Sequence, residues 1–146
     1  MALLMRRGSH EDEDWLFELF RATMQNYIDK AWGWDELLQR EGFVTTLPAK
    51  QFQILESNGE AIGSYHLSER REYYLLDIIL VVPEEQRRGH GSRMLDLIKT
   101  TSRSTGKPVE LSVLKTNPAI GFHTRYGFQQ IQEDEHSIRM RWSASS

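Results

Sequence analysis

The segment of this chain best equipped for chemistry is a short basic loop, Val82-Pro83-Glu84-Glu85-Gln86-Arg87-Arg88-Gly89-His90-Gly91-Ser92. An apolar run over residues 75–82, interrupted only by Asp77, ends at Pro83, and a helical pattern begins after Gly91. A helix start presents unpaired N–H groups and the positive end of the helix dipole. Glycines remove the Cβ atoms that would keep an anion away from that backbone. Arg87 and Arg88 add fixed positive charge. A glycine pair also suits a plain tight turn; the strand before it, the helix after it and the two arginines supply the context of a cradle for a phosphate or diphosphate.

Two familiar phosphate loops do not fit. A dinucleotide fingerprint requires a third glycine where Met94 stands, and the Gly-Lys-Ser/Thr triplet of a P-loop occurs nowhere.

The elements that position this loop can be read from patterning. Residues 3–7 suit a first edge strand. Ser9, followed by Asp12 and flanked by acids through Asp14, suits a helix start, and Leu16, Leu19, Phe20, Thr23, Met24 and Tyr27 give that helix an apolar face. A second helix is expected over 35–41, stopped by Gly42. Strands over 51–56 and 61–67 flank Asn58-Gly59, a type I′ hairpin signal. A third strand over 73–82 follows a polar turn. The helix after Gly91 turns Met94, Leu95 and Ile98 inward and closes near Gly106. Residues 109–114 read as a buried strand. Asn117 caps a helix opening on Pro118, Gly127 ends it, and strands over 128–132 and 137–142 complete the chain. This order predicts a mixed α/β fold of about six or seven mostly antiparallel strands, with about four helices on both faces. The 109–114 strand should run parallel to 75–82 through a right-handed crossover.

Two of these segments resemble the motifs of the GNAT N-acetyltransferase family. Gln86, Gly89 and Gly91 match Gln/Arg-x-x-Gly-x-Gly/Ala between a strand and a helix. Residues 117–128, Asn-Pro-Ala-Ile-Gly-Phe-His-Thr-Arg-Tyr-Gly-Phe, match Asn-x-Ala-x-x-Phe/Leu-Tyr-x-x-x-Gly-Phe. One helix and one strand lie between them, as in the family. The resemblance covers residues 77–128, and the first half of the chain is compatible with it.

The resemblance implies that the two central strands splay apart and that acetyl-CoA enters the gap. The amides of Arg88, Gly89, His90, Gly91 and Ser92, with Gln86, Arg87 and Arg88, would hold its diphosphate. The pantetheine arm would follow the backbone of Leu80, Val81 and Val82, the thioester carbonyl would lie near the Leu80 amide, and Asn117 would add a hydrogen bond or serve as a plain helix cap. Asp77 stands where many members carry an acid that accepts the amine proton; it can equally pair with a neighbouring arginine. Glu36, Glu110 and His66 are weaker candidates for that task. The family tyrosine that protonates the leaving thiolate is replaced by His123, which either takes over that proton transfer or merely packs, and Tyr126 offers a phenol nearby. Tyr27, Trp32, Trp34, Asp35 and Glu36 form an aromatic and acidic cluster suited to a cationic amine, or to a helix pair whose tryptophans fill the core.

Composition bounds the rest. At 146 residues the chain is expected to be one domain over 1–146, with 143–146 as a frayed tail. The net charge of -3 argues against nucleic-acid binding. The absence of cysteine rules out disulfides and thiolate chemistry, and no metal is called for. No apolar run approaches a membrane span and the first residues do not suit a signal peptide, so a cytoplasmic, membrane-free protein is expected. The expected partner is a small-molecule or peptide amine, with a homodimer left open. Two functions stand side by side: acetyl transfer from acetyl-CoA to a primary amine, and a non-catalytic acyl-CoA-binding module.

Overall fold

The computed structural model describes residues 3–144. Seven strands form a single sheet in the order β1-β2-β3-β4-β5-β7-β6. They are β1 (Leu3–Arg7), β2 (Phe52–Ser57), β3 (Glu60–Glu69), β4 (Tyr74–Val81), β5 (Val109–Leu114), β6 (Gln129–Glu133) and β7 (Ser137–Trp142). Four helices cover it: α1 (Glu13–Trp32), α2 (Glu36–Thr46), α3 (His90–Thr105) and α4 (Ala119–Arg125). The expected strand count, helix count and mixed pairing all hold. The frayed tail expected at 143–146 falls partly outside the described residues.

Apolar residues segregate to the two faces of the sheet. On one, Met94, Leu95 and Ile98 of α3 bury against Tyr65, Leu76, Val109 and Leu111. On the other, Leu16, Phe17 and Phe20 of α1 and Phe43 of α2 bury against Phe52 and Ile54. Helix α2 runs five residues further than 35–41 suggests, straight through Gly42. The glycine costs about 1 kcal/mol in a helix interior, and burial of Phe43 beside it offsets that: its ring centroid lies 4.8 Å from that of Phe20. At the hairpin, Asn58 and Gly59 both have positive φ, as a type I′ turn requires.

Two irregularities of β4 shape the molecule. Opposite β3, His66 pairs with Ile78 and Leu67 with Leu76, so Asp77 is an extra residue in a β-bulge. The bulge reverses the strand's alternation. Tyr74 and Leu76 face the α3 core, whereas Leu80, beyond the bulge, is buried in the α1 core. The second irregularity lies toward β5. The expected parallel pairing exists, but only where Tyr74, Leu75 and Leu76 meet Val109, Glu110 and Leu111. Beyond those residues the two strands diverge.

Candidate active site

The divergence opens a cleft of about 780 Å³ between β4 and β5, walled by α1 on one side and by α4 and the basic loop on the other. After β4, a 3-10 turn at Pro83–Glu85 leads into the loop. Arg87 and Gly89 have φ of 65° and 85°, a left-handed conformation that glycine adopts without strain. Helix α3 begins at His90, ahead of the expected start after Gly91, and its first backbone bond runs from Arg93 N–H to Gly89 C=O at 3.0 Å. Among the described residues no hydrogen bond engages the amides of residues 87–92. They are unpaired donors at the positive end of a long helix, the arrangement that binds anions.

The side chains around the loop have distinct tasks. Glu85 accepts from Arg88 Nη1 at 3.2 Å and from His90 Nε2 at 3.2 Å, which ties the loop's base together. Arg87 has no ion-pair or hydrogen-bond partner among the described residues and is exposed. Gln86 Nε2 donates to the Val81 carbonyl at 3.0 Å, and Ser92 Oγ to the Gly89 carbonyl at 3.1 Å. The two glycines differ. A Cβ on Gly89 would meet open space, with only Ser92 Oγ at 4.0 Å, whereas one on Gly91 would stand 3.2 Å from Phe122 Cζ. Gly91 therefore lets α4 approach α3.

Backbone direction along β4 follows from one bond. Val82 N–H donates to Ile62 C=O at 2.9 Å. In an antiparallel ladder the polar groups of alternate residues point to the same side, so those of Leu80 face β3. The N–H groups facing the cleft belong to Ile79 and Val81. This corrects the expectation for Leu80, and the reason is a parity that sequence does not display.

Asp77 lines the cleft on the same strand. Its Oδ2 accepts from His66 Nδ1 at 2.7 Å and Ser68 Oγ at 2.6 Å, both on β3. Its Oδ1 has no such partner among the described residues. His66 is buried, with its ring edge-on to Phe52 and its Nε2 without a partner. Across the cleft, His123 is 5 % exposed and packs against Phe122 and Phe128. Burial pushes its pKa down to about 4, so the imidazole is neutral near pH 7. Tyr126 also lines the cleft, and its hydroxyl has no hydrogen-bond partner among the described residues. Asn117 precedes α4 rather than Pro118 following it inside the helix. Pro118 is the capping position, and Asn117 Oδ1 accepts from Ala119 N–H at 2.9 Å, leaving Nδ2 with only the Met24 sulfur at 3.8 Å.

The acetyltransferase (GNAT) family model matches residues 12–128. The chain belongs to the GNAT acetyltransferase family.

Solved structures share the fold at low identity. The PaiA N-acetyltransferase of Thermoplasma acidophilum, in complex with coenzyme A, has a TM-score of 0.79 at 18% identity over 98% of this chain and 99% of its own. The ribosomal-protein-S18-alanine N-acetyltransferase of Escherichia coli has a TM-score of 0.75 at 17% identity over 97% and 94%. An acetyltransferase of Thermus thermophilus has a TM-score of 0.77 at 17% identity over 98% and 97%. None of the curated proteins matches the sequence of this GNAT chain.

The aromatic and acidic cluster is not gathered at the GNAT cleft. Of its members only Tyr27 lines it. Trp32 is 60% exposed and meets His136 edge-on. Trp34 stacks on Phe17 and donates to Glu36 Oε1 at 3.0 Å. Asp35 caps α2 by accepting from Leu38 N–H, and Glu36 also accepts from Arg21 at 2.7 Å. Glu110 is likewise committed, with Arg139 Nη2 at 2.9 Å and Arg141 Nη2 at 2.8 Å. Sequence reasoning missed Glu85 and Arg125 at the cleft, Ser68 as the partner of Asp77, and the apolar wall of Phe20, Met24 and Leu47. The apolar face of α1 pointed to Phe20 and Met24, but only as core. No helix among the described residues is long and apolar enough to cross a membrane.

Proposed function

We propose that this GNAT protein transfers the acetyl group of acetyl-CoA to a primary amine of a small molecule or peptide by direct attack in a ternary complex. The observation that carries the reading is the run of unpaired amides over 87–92 at the start of α3, opening onto a gap between β4 and β5. It accommodates a diphosphate at the helix end and an extended arm along a free strand edge. The coenzyme A complex of the PaiA relative supports the same ligand.

In this reaction the cofactor's diphosphate rests on the loop amides with Arg87 beside it. The thioester carbonyl points at the cleft-facing N–H groups of β4, those of Ile79 and Val81. A backbone donor of that kind lowers the barrier by about 3 kcal/mol. The amine nitrogen forms a bond to the carbonyl carbon, and the carbon–sulfur bond breaks. The proton lost by nitrogen passes to Asp77 Oδ1, directly or through water. The leaving thiolate takes a proton from the Tyr126 hydroxyl or from water. A neutral His123 is a poor acid for that step, since imidazole donates readily only as the cation.

That same neutral, buried His123 favours a second reading, a module that binds acyl-CoA without turnover. Calorimetry with coenzyme A, paired with thiol release from acetyl-CoA over an amine panel, separates the two. Binding with release supports transfer, and binding without release supports the module. Gly89→Glu should abolish binding, and unchanged affinity in that variant removes the loop from the site.

A further inference from the structure

Granted acetyl transfer in this cleft, on which the inference rests, we infer that the acceptor is a monoamine with an apolar body, of the arylalkylamine kind. Two observations converge on it. The first is charge. Asp77 and Glu85 are the carboxylates lining the cleft. Glu85 is committed to Arg88 and His90, and it lies beside the phosphate loop. Arg87 and Arg125, also lining the cleft, repel an ammonium group. Among the described residues, Asp77 Oδ1 is therefore the one carboxylate oxygen there without a partner and free to meet a cation. Each further ammonium of a polyamine or aminoglycoside would lose its hydration without gaining a partner.

The second observation is the apolar wall of the same cleft. On the α1 side it consists of Phe20, Met24, Tyr27 and Leu47, packed in one cluster with Ile78 and Leu80. The hydroxyl of Thr23, which lies among them, is already spent on the Leu19 carbonyl at 2.7 Å. The wall offers rings, a thioether and aliphatic carbons, with one phenol. Such a surface rewards an apolar substituent, and methionine adapts to an aromatic ring. The acids and tryptophans that would widen the choice toward multiply charged amines are turned elsewhere, with Asp35 capping α2 and Glu36 holding Arg21.

The test is thiol release from acetyl-CoA by the full chain with 2-phenylethylamine, ethylamine, spermidine, kanamycin and an alanyl peptide. The expected result is a kcat/KM for 2-phenylethylamine at least tenfold above each of the others. Met24→Ala and Leu47→Ala should each lower it three- to tenfold without changing coenzyme A affinity by calorimetry. Parity between 2-phenylethylamine and ethylamine overturns the inference. So does a tenfold preference for spermidine, kanamycin or the peptide, although transfer itself then stands. Bound coenzyme A with no release by any amine overturns the inference and the transfer reading together.

Discussion

His66 Nδ1 lies 2.7 Å from Asp77 Oδ2, a contact between adjacent strands that exists because Asp77 is the extra residue of a bulge. Ser68 Oγ approaches the same oxygen to 2.6 Å. With Oδ2 held twice, the carboxylate cannot swivel, and Oδ1 is left without a hydrogen-bond partner among the described residues.

If Asp77 accepts the amine proton, this clamp governs how well it does so. Asp77→Asn should lower kcat about a hundredfold, the usual worth of a positioned base. Ser68→Ala should cost about tenfold, as a misplaced catalytic group does. His66→Phe should cost as much, while His66→Asn, which keeps an N–H near the Nδ1 position, should recover most of it. Coenzyme A affinity measured by calorimetry should stay constant throughout. Full activity in both Ser68→Ala and His66→Phe would retire the clamp.

Gly91 and Phe122 should behave as one unit. A Cβ at Gly91 stands 3.2 Å from Phe122 Cζ, closer than side chains tolerate without movement. Gly91→Ala should therefore destabilise by about 1 kcal/mol, within the range of overpacking. Phe122→Leu makes room, so the double variant should be more stable than the sum of the single changes. Urea denaturation of the four proteins measures the coupling. Strict additivity would mean that the ring has space to retreat.

The two arginines of the loop, equivalent in sequence, are not equivalent in the fold. Glu85 holds Arg88, whereas Arg87 is exposed and unpaired among the described residues. A phosphate gains more from a free guanidinium than from one that must first leave a carboxylate. Arg87→Ala should weaken coenzyme A binding about tenfold at low salt, and Arg88→Ala less than threefold. Added salt should shrink the Arg87 effect, since exposed charges are screened. Equal losses in calorimetry would show that the Glu85 contact opens on binding.

What was legible in the sequence is what depends on local chemistry. Gly89, Pro118, Asn58 and Gly59 mark backbone conformations that few residues tolerate, and the strand and helix patterns follow from burial of one face. What escaped depends on register and distance along the chain. The bulge at Asp77 decides that Ile79 and Val81, not Leu80, offer their N–H groups to the cleft, and no residue type announces that parity. Phe43 carries α2 through Gly42 because its ring meets Phe17, Phe20 and Phe52 from elsewhere in the chain. Trp34 and Glu36 looked free to meet a ligand, yet Phe17 and Arg21 claim them.

His123 ties the site to stability through pH. Its imidazole sits among Phe122 and Phe128 with Nδ1 unpartnered, and burial pushes its pKa from 6.5 down to about 4. In the unfolded chain the same group titrates near its ordinary value of about 6.5. Between those values the unfolded state binds a proton that the folded state refuses, so stability falls as pH drops through this window. The loss from pH 7 to pH 4 should be about 3 kcal/mol, at about 1.4 kcal/mol per pH unit. A second loss lies lower. Arg6 holds Asp12 at about 2, below its usual 3.8, so stability from that pair disappears only as pH falls from about 4 toward 2. His123→Phe should flatten the upper window and leave the lower one intact. Urea denaturation at pH 7, 5, 4 and 3 reads both. An unchanged slope between pH 7 and pH 4 in the variant would show that the folded protein charges His123 freely.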